Sequence, residues 1–254
     1  MTHKIEVYPI QALSDNYIWA IKHTEHNKII IVDPGEAAPV KDFLHKYNFT
    51  LHGILLTHHH ADHTAGVNDL IHNKHIPIWG IKHKNNTTLG DKSINISNIK
   101  LEFKVIAIPG HTLDHLAFYG HGALFCGDTL FAGGMGRIFE GTALQMYNSI
   151  NKIRALPKTT KIYCAHEYTL ANLEFALHVE PNNQKLITRH LETTQMRSKG
   201  DPTLPSTISD ELDTNPFLRS HVPAVQQAIS RYLGRPITNE IEVFTNLRLW
   251  KDNF

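Results

Sequence analysis

The sequence predicts an α/β sandwich with a small helical addition, and two observations carry this reading. Over the first two thirds, short runs rich in β-branched and aromatic residues alternate with apolar stripes at helical spacing. Beyond about Leu170 the strand signals stop and helical patterns take over. Mixed layers followed by helices alone fit one α/β core carrying an appendage. A chain of 254 residues is long enough to bury such a core.

Taken in order, Lys4 to Ile10, Asn16 to Ile21 and Ile29 to Val32 read as strands, and the third ends on the turn signal Asp33-Pro34-Gly35. Val40, Phe43, Leu44 and Tyr47 fall at i, i+3, i+4 and i+7, which makes the apolar stripe of a helix. Leu51 to Leu56 is a short apolar strand that runs straight into THHHADH, Thr57 to His63. Val67, Leu70 and Ile71 mark another helix, and strands are expected at Ile76 to Ile81, Lys100 to Ile108, Leu116 to Tyr119 and Ala123 to Cys126. Thr142 to Leu156 reads as helix and Lys161 to Cys164 as the last strand. The helical end shows stripes at Leu170, Leu173 and Leu177, at Leu186, Ile187 and Leu191, and at Val222, Val225, Ile229 and Tyr232, the third closed by Gly234 and Pro236. Asp201 to Asn215 reads as linker, and there are no repeats.

Composition narrows the function classes. Lys and Arg total 25 against 24 Asp and Glu, so a formal charge of +1 offers no electrostatic footprint for nucleic acid. The N-terminus has no basic stretch leading into an apolar core, and no apolar run is long enough to span a bilayer. Cys126 and Cys164 sit in apolar runs, where a reduced cysteine packs as a small hydrophobe. These features point to a soluble, cytoplasmic protein with no membrane partner. Nineteen histidines invite talk of metal, yet His23, His26, His72, His75 and His83 share no pattern.

The informative motif is THHHADH. A strand ending at Thr57 delivers the next residues onto a loop at the sheet edge, where closely spaced side chains can converge on one point. His58 and His60 can reach one metal, and Asp62 and His63 are better placed for a second. PGHTLDH sets His111 after a strand, LFCGDTLF sets Asp128 after another, and IYCAHEYT sets His166 after a third. Each alone is weak, since a strand-end Asp is often a helix cap and a lone His usually packs. Together they supply seven donors, enough for two ions, and imidazole with carboxylate suits zinc first, with iron or manganese as alternatives. His59 and His115 stay outside the set. Asp114 is read as a turn residue or as a partner that orients a ligand imidazole.

With His111, Asp128 and His166 in this order, the motif resembles the HxHxDH superfamily of metallo-β-lactamase-fold hydrolases, which implies a four-layer αββα sandwich with metals at one edge. Within it the chain resembles the glyoxalase II family, the hydroxyacylglutathione hydrolases. The likeness extends through LSDNYIW, VDPG at Val32 to Gly35, GRIFEGT at Gly136 to Thr142, AHEYT at Ala165 to Thr169, NPFLR at Asn215 to Arg219, and the terminal RLWKDNF. It implies a catalytic metal domain over residues 1–170 and a helical substrate-recognition domain over 171–254. It also implies that His58, His60 and His111 hold one ion, Asp62, His63 and His166 the other, with Asp128 bridging. Arg137, Phe139, Tyr168, Arg248 and Lys251 then line the glutathione site. The family often carries a large aromatic where Ala61 stands, and some members have Lys and Tyr at Arg137 and Phe139.

The implied reaction is hydrolysis of S-(2-hydroxyacyl)glutathione, chiefly S-D-lactoylglutathione, to glutathione and D-lactate by a metal-bridging hydroxide, in a monomer. Two cations lower the pKa of a bridging water from about 15.7 towards neutrality. No Ser occupies a G-x-S-x-G elbow, so a covalent route has no candidate. A thiol leaving group with a pKa near 8.5 needs no strong general acid. Rival readings are a hydrolase of β-lactams, lactones or phosphodiesters, a mononuclear iron oxygenase acting on a glutathione persulfide, and a non-catalytic metal- or nucleic-acid-binding module. The helical end, the complete second donor set and the near-neutral charge count against them in turn.

Overall fold

The computed structural model describes residues 5–72, 75–82 and 92–254. Lys4 and His83 lie outside them. The chain forms two compact units, Met1–Ala107 with Asp114–Gly127, and Ile108–Leu113 with Asp128–Phe254.

In the first unit β1 (Ile5–Ala12), β2 (Asn16–His23) and β3 (Lys28–Val32) pair antiparallel in sequence. Helix α1 (Ala38–Tyr47), with Pro39 in its first turn, carries the chain across so that β4 (Thr50–Leu56) adds parallel to β3. After the short helices α2 (Ala61–Thr64) and α3 (Val67–Ile71), β5 (Ile78–Gly80) adds parallel to β4. Buried on both faces, residues 29–32 of β3 and 54–56 of β4 read as continuous apolar runs. An antiparallel meander follows: β6 (Ser93–Ile96), β7 (Leu101–Ala107), β8 (Leu116–Gly120) and β9 (Ala123–Gly127). Phe103, Phe118 and Phe125 form its buried face. The backbone N–H of Leu116 donates to Thr57 O at 2.8 Å, tying the start of β8 to the end of β4.

The second unit opens with a tight hairpin of β10 (Leu130–Phe131) and β11 (Gly134–Met135). Helix α4 (Ala143–Arg154) starts on a reciprocal Thr142–Gln145 capping box. Then come β12 (Lys161–Cys164), α5 (Thr169–Val179) and α6 (Gln184–Ser198), whose first turn is capped by Asn183. The last elements are β13 (Ser206–Thr207), α7 (Ile208–Thr214), α8 (Pro223–Leu233) and α9 (Glu240–Asp252). Leu173, Phe175, Phe217, Ile229 and Phe244 are fully buried between these helices.

The supposed linker Asp201 to Asn215 is a built segment instead. Thr207 caps α7 through a capping box with Asp210. The fully buried Glu211 accepts from Gly133 N at 2.8 Å, Asn215 Nδ2 at 2.9 Å and Arg189 Nη2 at 2.7 Å. Asn215 Nδ2 also donates to Gly134 O at 2.9 Å, and Asn172 Nδ2 to Ala132 O at 3.1 Å. The helical end therefore grips the β10–β11 hairpin, which presents Phe131 and Met135.

Candidate metal centre

In the first unit, β4 releases the chain at Thr57, and the donors of the following loop are oriented from behind by Asp33. This residue ends β3 in a left-handed conformation (φ 52°) and is buried. Its carboxylate accepts from Thr57 N at 2.8 Å, Thr57 Oγ1 at 2.6 Å and His63 Nδ1 at 3.1 Å. Because the Thr57 hydroxyl gives its proton to Asp33, it accepts from His58 Nδ1, 3.0 Å away. This network assigns the Nδ1–H tautomer to both His58 and His63 and turns their Nε2 lone pairs outward. His58 Nε2 stands 3.0 Å from His60 Nδ1, and His63 Nε2 stands 3.3 Å from Asp62 Oδ2, which also accepts from Asn16 Nδ2 at 3.2 Å. Ring nitrogens and carboxylate oxygens gathered this closely are the donor chemistry of a divalent cation.

Close packing lets the turn and the loop meet. A Cβ on Gly35 would lie 1.9 Å from Asp62 O, so only glycine allows the Asp33-Pro34-Gly35 turn to abut α2. His59 is half-exposed and pairs with Asp114 at 3.0 Å, so one partner of Asp114 is a histidine outside the predicted ligand set. His115 is buried and stacks on His58 with ring centroids 4.5 Å apart.

In the second unit, Asp128 Oδ2 lies 3.5 Å from His111 Nε2 and 3.4 Å from His166 Nε2, midway in a row of three donors. His111 Nδ1 donates to Arg137 O at 2.8 Å, which again leaves Nε2 for a cation. A Cβ at Gly136 would come within 1.8 Å of Asp128 O, so the GRIFEGT segment can pass this close only with glycine there. His166 is stacked on Tyr168 at 4.8 Å with the rings nearly parallel, and Phe131 meets both edge-on.

From His111 and Asp128 a cavity of about 450 Å³ runs past Phe131, Met135, Phe139 and Tyr168 to Arg137, Arg248 and Lys251. Phe139 is 62% exposed and presents its ring edge-on to His111. Arg137 is exposed and 3.8 Å from Asp252. Arg248, by contrast, is only 5% exposed; it donates to Met135 O at 2.9 Å and pairs with Asp252 at 2.8 Å. Lys251 lies over the Phe175 ring at 5.0 Å, and burial, reinforced by Arg248, pushes its pKa down to about 8. All five predicted substrate residues thus border one cavity, but Arg248 is an anchored core cation rather than a freely reaching surface charge.

A family model for the "Hydroxyacylglutathione hydrolase C-terminus" matches residues 167–254, and the "Metallo-beta-lactamase superfamily" model matches residues 14–100. A hydroxyacylglutathione hydrolase of Nitrosomonas europaea is 43% identical over 98% of this chain and 97% of its own. One from Aeromonas salmonicida is 46% identical over 98% of this chain and 99% of its own. The chain belongs to the hydroxyacylglutathione hydrolase family. Solved structures agree on the fold of this family member: ETHE1 from Myxococcus xanthus superposes with a TM-score of 0.64 at 23% identity, covering 97% of this chain and 99% of that one. The BLEG-1 B3 metallo-beta-lactamase gives 0.62 at 22% identity over 85% and 99%. Two sheets with flanking helices and a helical C-terminal region make up the metallo-β-lactamase fold expected from the sequence. The fold and the His/Asp clusters of this chain suit divalent metal ions.

Sequence reading takes Asp33 only as a turn residue and assigns nothing to Thr57 or Asn16. The signal for Asp33 was a carboxylate at the end of an apolar strand, a place where burial demands partners. Thr57 and Asn16 have no such mark.

Proposed function

We propose that this chain hydrolyses S-(2-hydroxyacyl)glutathione, chiefly the S-D-lactoyl thioester, to glutathione and D-lactate. The observation that carries the reading is the single cavity bordered by His111 and Asp128 at one part and by Arg137, Arg248 and Lys251 at another. A small thioester with anionic carboxylates remote from its acyl group fits such a layout. The proposed ligands are His58, His60 and His111 for one ion, Asp62, His63 and His166 for the other, and Asp128 for both, with zinc the favoured metal. When bound, the ions supply a hydroxide near neutral pH and polarise the thioester carbonyl.

The protein's own groups do the rest. Asp33 and Thr57 hold His58 and His63 in one tautomer, and Arg137 O does so for His111. Arg137 and Lys251 bind substrate carboxylates, Arg248 adds positive potential from beneath, and the Tyr168 hydroxyl donates to the peptide of glutathione. Phe139 contributes ring surface but no hydrogen bond. Thiolate departure needs no protonation, and no cysteine competes as nucleophile: burial pushes the Cys164 thiol up to about 12, and Cys126 is fully buried. Residues 1–170 act as the catalytic domain and 171–254 as the recognition domain, in a cytoplasmic monomer. No helix among the described residues is long and apolar enough to cross a membrane.

Purified protein should hydrolyse S-D-lactoylglutathione with the release of free thiol, and metal analysis on the same sample should find at least two ions per chain. Metal-replete protein that leaves this thioester intact would overturn the reading.

A further inference from the structure

The turn between β2 and β3 reads His23-Thr24-Glu25-His26, and folding gives these histidines the shared pattern that the sequence does not display. His26 N–H donates to His23 O at 3.0 Å, closing a four-residue turn. The two imidazoles then face each other with centroids 5.5 Å apart at 47°. One donor atom from each of His23, Glu25 and His26 lies within 4.8 Å of the others. His23 is buried, with 2% exposed, and Glu25 N–H donates to its Nδ1 at 3.3 Å, which ties the ring to the turn. His26 Nε2 is also buried, and no hydrogen-bonding group of the described residues meets it. Such a nitrogen is costly unless something satisfies it.

We propose that His23, Glu25 and His26 form a separate binding site for a divalent transition ion of the zinc class. Two imidazoles and a carboxylate match Zn²⁺, Ni²⁺ or Cu²⁺, whereas Ca²⁺ and Mg²⁺ take oxygen-rich sites. Water completes the coordination on the exposed Glu25 side, and His23 stays a neutral imidazole: its proton remains on Nε2, while the Nδ1 lone pair turns from the Glu25 N–H to the ion. The carboxylate is ready for a cation: Lys100, 2.6 Å away, holds the Glu25 carboxyl below its ordinary range. Lys100 is accordingly the competitor that an incoming ion displaces. The site stands apart from the residue 58–63 donors, because Lys28 beside it pairs with Thr50 at the start of β4 while His58 follows the end of that strand. An ion here clasps the β2–β3 hairpin and takes no part in hydrolysis.

The test is equilibrium dialysis of the metal-loaded full chain against excess Zn²⁺, with zinc per chain measured for the native protein, Glu25→Gln and His26→Ala. The native chain should hold one equivalent more than either variant, while thioester hydrolysis and circular dichroism are the same in all three. Equal zinc content would overturn the proposal. Lys100→Gln should tighten the extra equivalent a few-fold by removing the competing cation; an affinity that stays the same or falls would strike Glu25 from the site and overturn the three-donor assignment.

Discussion

At the scale of single residues, the orienting groups matter as much as the donors they hold. Asp33 satisfies Thr57 twice and His63 once, so Asp33→Ala leaves two imidazoles free to change tautomer. Metal affinity should fall about 10- to 100-fold by chelator competition, the usual cost of losing an outer partner. Asp128→Ala should be the most damaging ligand change, because its carboxylate stands between His111 and His166; metal content and kcat should drop together. Lys251 gives a pH signature. Its pKa is lowered from 10.5 to about 8 by burial first and by Arg248 second, so the ammonium proposed to attract a substrate carboxylate is present below about pH 8 and lost above it. KM for the thioester should rise through that region, and Lys251→Ala should raise KM about tenfold or more at pH 7, abolish the pH dependence and leave kcat nearly unchanged. The same shift affects stability with the opposite sign. Between about 8 and 10.5 the unfolded chain holds a proton that the folded chain has lost, so this group's penalty on the fold fades as pH rises. The buried Arg248 is less suited to the kinetic test, because its loss would also free Met135 O.

At the scale of elements, legibility follows length. Many of the longer strands and helices show their period, and the predicted runs at Ile29 to Val32, Leu51 to Leu56 and Thr142 to Leu156 recur as β3, β4 and α4, though the 13-residue α9 shows no such stripe. The β10–β11 hairpin has two residues per strand and β6 four, too few for alternation to stand out. Segment α7 was hidden for another reason: its surroundings are Pro, Ser, Thr and Asp, which read as loop, while its decisive residue is a buried acid that reaches back to Arg189 and to Gly133 far upstream. The same limit applies at the site. Closely spaced donors in THHHADH announce themselves, whereas the reach of Asp33 to Thr57 and His63 is long-range and silent in the sequence. Glu211 can be tested directly. Glu211→Ala strips the partner from Arg189 and from Gly133 N, so stability should fall by about 3–5 kcal/mol, as for a broken buried charge pair, and a thermal melt would record it.

At the scale of the whole molecule, the formal charge is only +1, and the proposed specificity rests on the cavity and its metals. Chelation should abolish thioester hydrolysis, and zinc should restore it; activity that survives metal removal, or an acyl group trapped on Cys126 or Cys164, would rule the mechanism out. The grip of Glu211, Asn215 and Asn172 on the β10–β11 turn has a further consequence, for recombination. Because Gly133 N and the carbonyls of Ala132 and Gly134 find their partners more than 35 residues downstream, the terminal helices are not a cassette that can be exchanged at a late crossover. A chimera joined near residue 170 would pair one parent's hairpin with the other's anchors and inherit a misfitted floor to the cavity. A junction placed before Asp128 moves hairpin and anchors together and leaves only the Ile108–Leu113 segment of that unit with the other parent, so such hybrids should fold better than those joined near residue 170.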